Sequence, residues 1–178
     1  MNVESFFYNC SREYVESISS SLFDEVAEIV SCLPKRRTQA EINQDVFWIL
    51  TSKGWSYDSA PSGLSDQLPA DLNLPSTSRK QVSDRNNRNL CVTSTTLEAR
   101  WHSDFAKSFD GKLVQVEVQF GKVESMFKDF CGFTIARFER RLSLGIEIIL
   151  CEPNRYFSHR RESTSGMAYF DIAKRTLP

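Results

Sequence analysis

The chain has 178 residues, 40% of them hydrophobic and 25% charged, and a formal net charge of -1 at pH 7. This is the balance of a soluble globular chain long enough to bury a substantial core in one domain, residues 1–178. It excludes a wholesale basic nucleic-acid coat, and no stretch approaches the roughly 20 apolar residues that a membrane-spanning helix needs.

From Ser11 to Leu33, apolar residues recur at Tyr14, Ile18, Leu22, Val26, Ile29, Val30 and Leu33. That spacing predicts a helix ended by Pro34 and the basic triplet Lys35-Arg36-Arg37. A second helix is predicted from about Glu41 to Lys53, with Gly54 as its stop. The segment from about 56 to 89 is rich in Ser, Pro, Asn, Asp and Gly and reads as irregular, with weak strands at most. Thr93 to Trp101 fits either a strand or the end of a helix. Asp104 to Phe120 reads as a hairpin turning at Asp110-Gly111.

After Gly121 a helix of roughly twenty residues is expected, with Val123, Met126, Phe127, Phe130, Thr134 and Phe138 as its core stripe. Gly145 to Cys151 reads as a buried strand ended by Pro153, and Ala168 to Arg175 as a short final helix. Strand, helix, strand in this order predicts an α/β fold, a central mixed sheet flanked by helices.

Charge and cysteines add little that is sharp. Residues 1–34 hold six acids against one base, Arg12, so the remainder is net positive, with basic clusters at Lys35-Arg36-Arg37, Arg79-Lys80, Arg140-Arg141 and Arg160-Arg161. Phosphate binding needs only such local charge, although each cluster alone is usually a solvated surface. Five scattered cysteines with two histidines do not spell a structural zinc site. They fit a reduced, cytoplasmic setting, as does an N-terminus without the pattern of a signal peptide.

The strand Leu113–Phe120 carries the chemistry. Alternation sends Gln115, Glu117 and Gln119 to one face and Val114, Val116, Val118 and Phe120 to the other. The bland reading is a half-exposed strand with a wet polar face. The functional reading is a cleft in which Glu117 and an upstream aspartate share a Mg²⁺ ion, with the Val118 carbonyl as a further oxygen donor, to cleave a phosphodiester with an activated water. Gln119 would orient that water or touch the phosphate, since an amide cannot serve as a base. Asp104 and Asp110 both qualify as the upstream aspartate. His102, beside Asp104, reads as a polar flank of the site, and Glu98 as a further acid near it.

Asp104-Phe105-Ala106-Lys107 followed by Val116-Glu117-Val118-Gln119-Phe120-Gly121-Lys122 resembles the catalytic segment of type II restriction endonucleases of the BglII and BstYI group, in the PD-(D/E)XK nuclease superfamily. The aromatic helix from Val123, the strand Gly145-Ile146-Glu147-Ile148 and Ser163-Thr164-Ser165-Gly166 before Tyr169-Phe170 follow in the same order. The likeness is strongest from Asp104 to Phe170 and looser upstream.

The resemblance implies a PD-(D/E)XK restriction-endonuclease-like fold, metal-binding roles for Asp104 and Glu117, and Gln119 standing where most of the superfamily has lysine. It further implies a homodimer enclosing double-stranded DNA, Mg²⁺-dependent cleavage of a palindrome containing GATC, and a cognate DNA methyltransferase in the host. Ser163, Ser165, Arg160, Arg161 and Lys122 become candidate DNA contacts. Asp104 carries the Asp-Phe-x-Lys string but stands further from Glu117 than this group's spacing leads one to expect, so Asp110 stays open. Two other functions fit the same residues: a catalytically silent nuclease-fold DNA-binding module, or a repair nuclease selecting branched structures.

Overall fold

The computed structural model describes residues 3–36, 38–94, 101–153 and 166–177. In chain order these form α1 (Arg12–Ile18), α2 (Leu22–Ser31), α3 (Gln39–Ser52), β1 (Ser56–Tyr57), α4 (Arg79–Arg85), β2 (Val92–Ser94), β3 (Trp101–His102), β4 (Phe105–Phe109), β5 (Lys112–Gln119), α5 (Val123–Phe138), β6 (Leu144–Ile149) and α6 (Phe170–Thr176). The protein is therefore a mixed α/β structure. Among the described residues no helix is long and apolar enough to cross a membrane.

The N-terminal helix expected as one piece is two. Ser19 is extended, and its N–H closes α1 onto the Val15 carbonyl before Ser21 begins α2. Three consecutive serines offer the backbone local alternatives to helical bonding, which is why the break falls there. α3 starts on a full capping box between Thr38 and Glu41 and is buried almost all round, through Ile42, Val46, Phe47, Trp48, Ile49 and Leu50. Its buried Asp45 is held by Arg36 at 2.5 Å. The segment read as irregular contains α4, which begins on a second capping box between Ser78 and Gln81.

The main sheet has the order β1-β4-β5-β6. β4 and β5 are antiparallel across a turn in which Asp110 and Gly111 have φ of 49° and 82°. Positive φ at both central residues is the geometry that Asp-Gly favours. β6 returns parallel to β5 after α5. Val92–Ser94 and Trp101–His102 form a separate antiparallel pair, so both ends of the ambiguous stretch are strand.

The sheet has two unlike faces. Val114, Val116, Phe105 and Ile148 pack with α3 and its neighbours in the main core. On that side Lys107 is a brace: its Nζ donates to Glu25 Oε1 at 2.8 Å and to the Lys53 carbonyl at 3.0 Å, beneath Trp55 and Phe109.

The other face carries α5. Of the expected stripe the helix buries Met126 and packs Val123 and Phe130 beside it, but Phe127 and Phe138 are exposed at 37% and 84%, Thr134 is exposed too, and Gly132 and Ala136 are buried instead. Gly132 of the helix lies against the Trp101 ring of β3, and the Phe133 ring lies against Gly145 of β6. A Cβ on Gly145 would stand 2.5 Å from Cγ of Phe133. Gly145→Ala is therefore expected to cost about 1–3 kcal/mol by overpacking. At about 2–4 °C per kcal/mol for a chain of this size, circular-dichroism melting reads this as a fall in Tm, and Phe133→Leu in the same background recovers part of it.

Candidate active site

The sheet registers set four carboxylates in one row. Glu117 on β5 is the direct partner of Glu147 on β6. Phe105 pairs with Val116, so Asp104, one residue earlier, stands opposite Glu117. Tyr57 pairs with Phe105, and the Asp58 N–H donates to the Asp104 carbonyl at 3.0 Å, which extends the row to Asp58. Residues opposite one another share a face, and strands lie about 4.8 Å apart. The row Asp58, Asp104, Glu117, Glu147 thus lies on the α5 side. Asp129 reaches it from α5, one turn before Phe133.

These five acids live in different surroundings. Asp58 is neutralised: its Oδ1 accepts from Arg88 Nε at 2.7 Å and pairs with His102 Nδ1 at 2.5 Å, while Oδ2 accepts from the Ser59 hydroxyl. Burial works against its ionisation, but these donors outweigh it and hold the carboxyl below its ordinary value. His102 is thus tied to the row through Asp58.

The other four have no ion-pair partner among the described residues. Asp104 reaches solvent on one side and is hemmed in by protein on the others. Its Oδ2 accepts from the Val118 N–H at 2.9 Å. Burial raises its pKa, and hydrogen bonds from Val118 and Glu117 partly oppose the rise. Burial and then the charges of Asp104, Asp129 and Glu147 push Glu117 up to about 10. Asp104 and Glu117 are thus a cross-strand pair of acids whose ionisation is opposed by burial and, for Glu117, by the charge of its partner. Glu147 goes up to about 9, from burial and then Asp129 and Asp104. Both its carboxylate oxygens are buried without a hydrogen-bond partner among the described residues. Asp129 is also raised, chiefly by burial, against a lowering hydrogen bond from Gln119.

The polar face expected of β5 divides. Gln115 is fully buried, and its Nε2 donates to the carbonyls of Leu90 and Val92 at 2.8 and 3.1 Å, bracing the chain into β2. It is structural. Gln119 belongs with the acids: Nε2 donates to Asp129 Oδ2 at 3.3 Å, and Oε1 accepts from the Gly121 N–H at 2.9 Å. Asp110 sits exposed at the hairpin tip, away from Glu117. Lys122 is exposed at the start of α5, bridged to Met167. Arg160, Arg161, Ser163, Ser165 and Glu98 lie outside the described residues. The Ala168 N–H donates to the Gly121 carbonyl at 2.8 Å, so the chain that follows residues 154–165 returns beside the β5–α5 junction.

Sequence reasoning missed Asp58, Asp129 and Glu147 as members of the site. Glu147 had a signal, a lone acid inside the apolar run Gly145–Cys151; the other two had none without the register of β1 and the phase of α5.

Among the described residues no three His, Cys, Asp or Glu side chains converge as a ready metal-holding group, because the acids lie in a row rather than round a point. The donor chemistry nonetheless suits a hard divalent cation: all oxygen, two facing acids whose ionisation is opposed until a cation offsets it, and a buried carboxylate without a partner among the described residues. Fold and site together define an α/β protein whose mixed sheet carries an acidic row beneath a helix. No protein-family model matches the chain, and no curated protein matches it.

Proposed function

We propose that this protein is a Mg²⁺-dependent type II restriction endonuclease of the PD-(D/E)XK superfamily, resembling the BglII and BstYI group. The observation that carries the reading is the placement of Asp104 opposite Glu117 on the β4–β5 hairpin, with Gln119 two residues on along the same face. Asp104, Glu117 and the backbone of Val118 are the groups that would hold Mg²⁺. Such an ion, when bound, neutralises phosphate charge and lowers the pKa of water.

The chain's own residues have separable tasks in this reading. Asp104 and Glu117 hold negative charge at the point where the phosphodiester must be gripped through a cation. The Val118 N–H fixes Asp104. Lys122 and the basic residues 160 and 161 would meet DNA phosphates, and Ser163 and Ser165 base edges, in a homodimer closing round a palindrome that contains GATC. The setting is cytoplasmic, beside a cognate methyltransferase.

A second reading is a nuclease-fold DNA-binding module without catalysis, favoured by the absence of a three-ligand group among the described residues. Purified protein is incubated with plasmid and Mg²⁺, with and without EDTA. Discrete fragments that vanish with EDTA, and whose sequenced ends share one palindrome, are expected. Retarded but uncut plasmid would establish the second reading, and cuts only at branched DNA would make it a structure-selective nuclease.

A further inference from the structure

We propose that Asp129 is a positioning residue, which fixes the Gln119 amide so that it presents a hydrogen-bond donor to a phosphate oxygen of the nucleic acid. The proposal rests on the nuclease reading and gives Gln119 a single role within it.

A carboxamide has one acceptor oxygen and two N–H donors. The Gly121 N–H can pair only with the oxygen, and it does so at 2.9 Å. The Asp129 carboxylate can pair only with an N–H, and it accepts from Nε2 at 3.3 Å. Two independent clamps therefore agree on one orientation of the side chain. Gly121 is needed for its clamp, because a Cβ there would stand 2.9 Å from Gln119 Oε1. With the oxygen engaged and one N–H spent on Asp129, the second N–H is what the side chain has left to offer.

A phosphate oxygen accepts and does not donate, so it is the partner this group suits. The face otherwise consists of acids that repel a phosphodiester, and a fixed neutral donor gives the phosphate an attractive contact there. Asp129 reaches Gln119 from α5 and not from the sheet. The packing that seats α5 on Gly145, through Phe133 one turn beyond Asp129, thereby also sets the amide.

Two measurements test this. In DNA-free protein, the side-chain amide ¹⁵N–¹H signals of Gln119 are assigned by their loss in Gln119→Ala. They are expected to lie away from those of a free glutamine, to collapse to ordinary values in Asp129→Ala, and to stay displaced in Asp129→Asn, which keeps an acceptor oxygen. Signals unmoved by Asp129→Ala overturn the clamp, whether or not the protein cuts DNA.

The second is a cleavage cycle. Gln119→Ala and Asp129→Ala are each expected to slow cutting by about tenfold or more, while the double variant is no slower than Gln119→Ala alone. Asp129→Asn stays within about threefold of the parent, since a hydrogen-bond acceptor remains. Losses that multiply, or an Asp129→Asn as impaired as Asp129→Ala, would make Asp129 an independent ligand and overturn the positioning role. If the parent protein binds but does not cut, the nuclease reading fails separately. Affinity for a short duplex, by fluorescence anisotropy, then replaces the rate in the same cycle.

Discussion

Glu117→Gln is expected to reduce DNA cleavage by at least about a hundred- to a thousandfold, the scale on which removal of one charge-stabilising group acts, while raising thermal stability in EDTA. The two effects have one cause. In the folded chain burial, and then the charges of Asp104, Asp129 and Glu147, hold Glu117 neutral up to about pH 10. Glutamine is nearly isosteric, keeps a hydrogen bond available to Asp104, and has no proton that the folded chain must hold while the unfolded chain releases it. It also removes the charge that a divalent cation requires. Activity down with Tm up marks a group retained for function against stability. Asp104→Ala should likewise abolish cutting, and both variants should still retard a cognate duplex in a gel, since the proposed phosphate contacts of Lys122, Gln119 and the basic residues 160 and 161 are kept. Normal cleavage by both would end the assignment; equal losses of stability and activity would make the pair merely structural.

How far the sequence carried this site can be followed residue by residue. The β4–β5 hairpin was readable because its signals are local: Asp110-Gly111 demands positive φ, and the alternation from Leu113 to Phe120 fixes which side chains share a face. Once that turn is set, Asp104 must fall opposite Glu117. Other features depend on distant partners. Asp58 joins the row only through the pairing of β1 with β4, and Glu147 only through the parallel register of β6. Helix phase misled part of the reading of α5: Met126 and Phe130 pack as expected, but the helix sets Gly132 against Trp101 and Phe133 against Gly145 and turns Phe127 and Phe138 outward. The same rotation carries Asp129 to Gln119. Short helices were also hidden: α4 is only Arg79–Arg85, and its capping box at Ser78 lies within a polar stretch that hydrophobic periodicity passes over.

Glu147→Gln should stabilise the protein at pH 8 and hardly at all at pH 5. The Glu147 carboxyl titrates near 9 in the fold, against an ordinary 4.5. Between those limits the folded chain holds a proton that the unfolded chain has released, so stability declines as pH rises. It is fully present below the unfolded value and is lost through the folded one. At pH 8 the folded state must either keep that proton or bury a bare carboxylate whose two oxygens have no partner among the described residues. A buried unsatisfied polar group costs about 1–3 kcal/mol, which at about 2–4 °C per kcal/mol places the gain at several degrees in Tm. Differential scanning calorimetry in EDTA across pH 5 to 9 reads the effect: the parent's Tm should fall along that range, and the Glu147→Gln curve should fall less. Added Mg²⁺ should restore the parent selectively at the high end, because a cation binds the deprotonated acids that otherwise weaken the fold. A parent Tm that stays level from pH 5 to 9 in EDTA would mean that these carboxyls are solvated, and would remove the physical ground for a cation at the row.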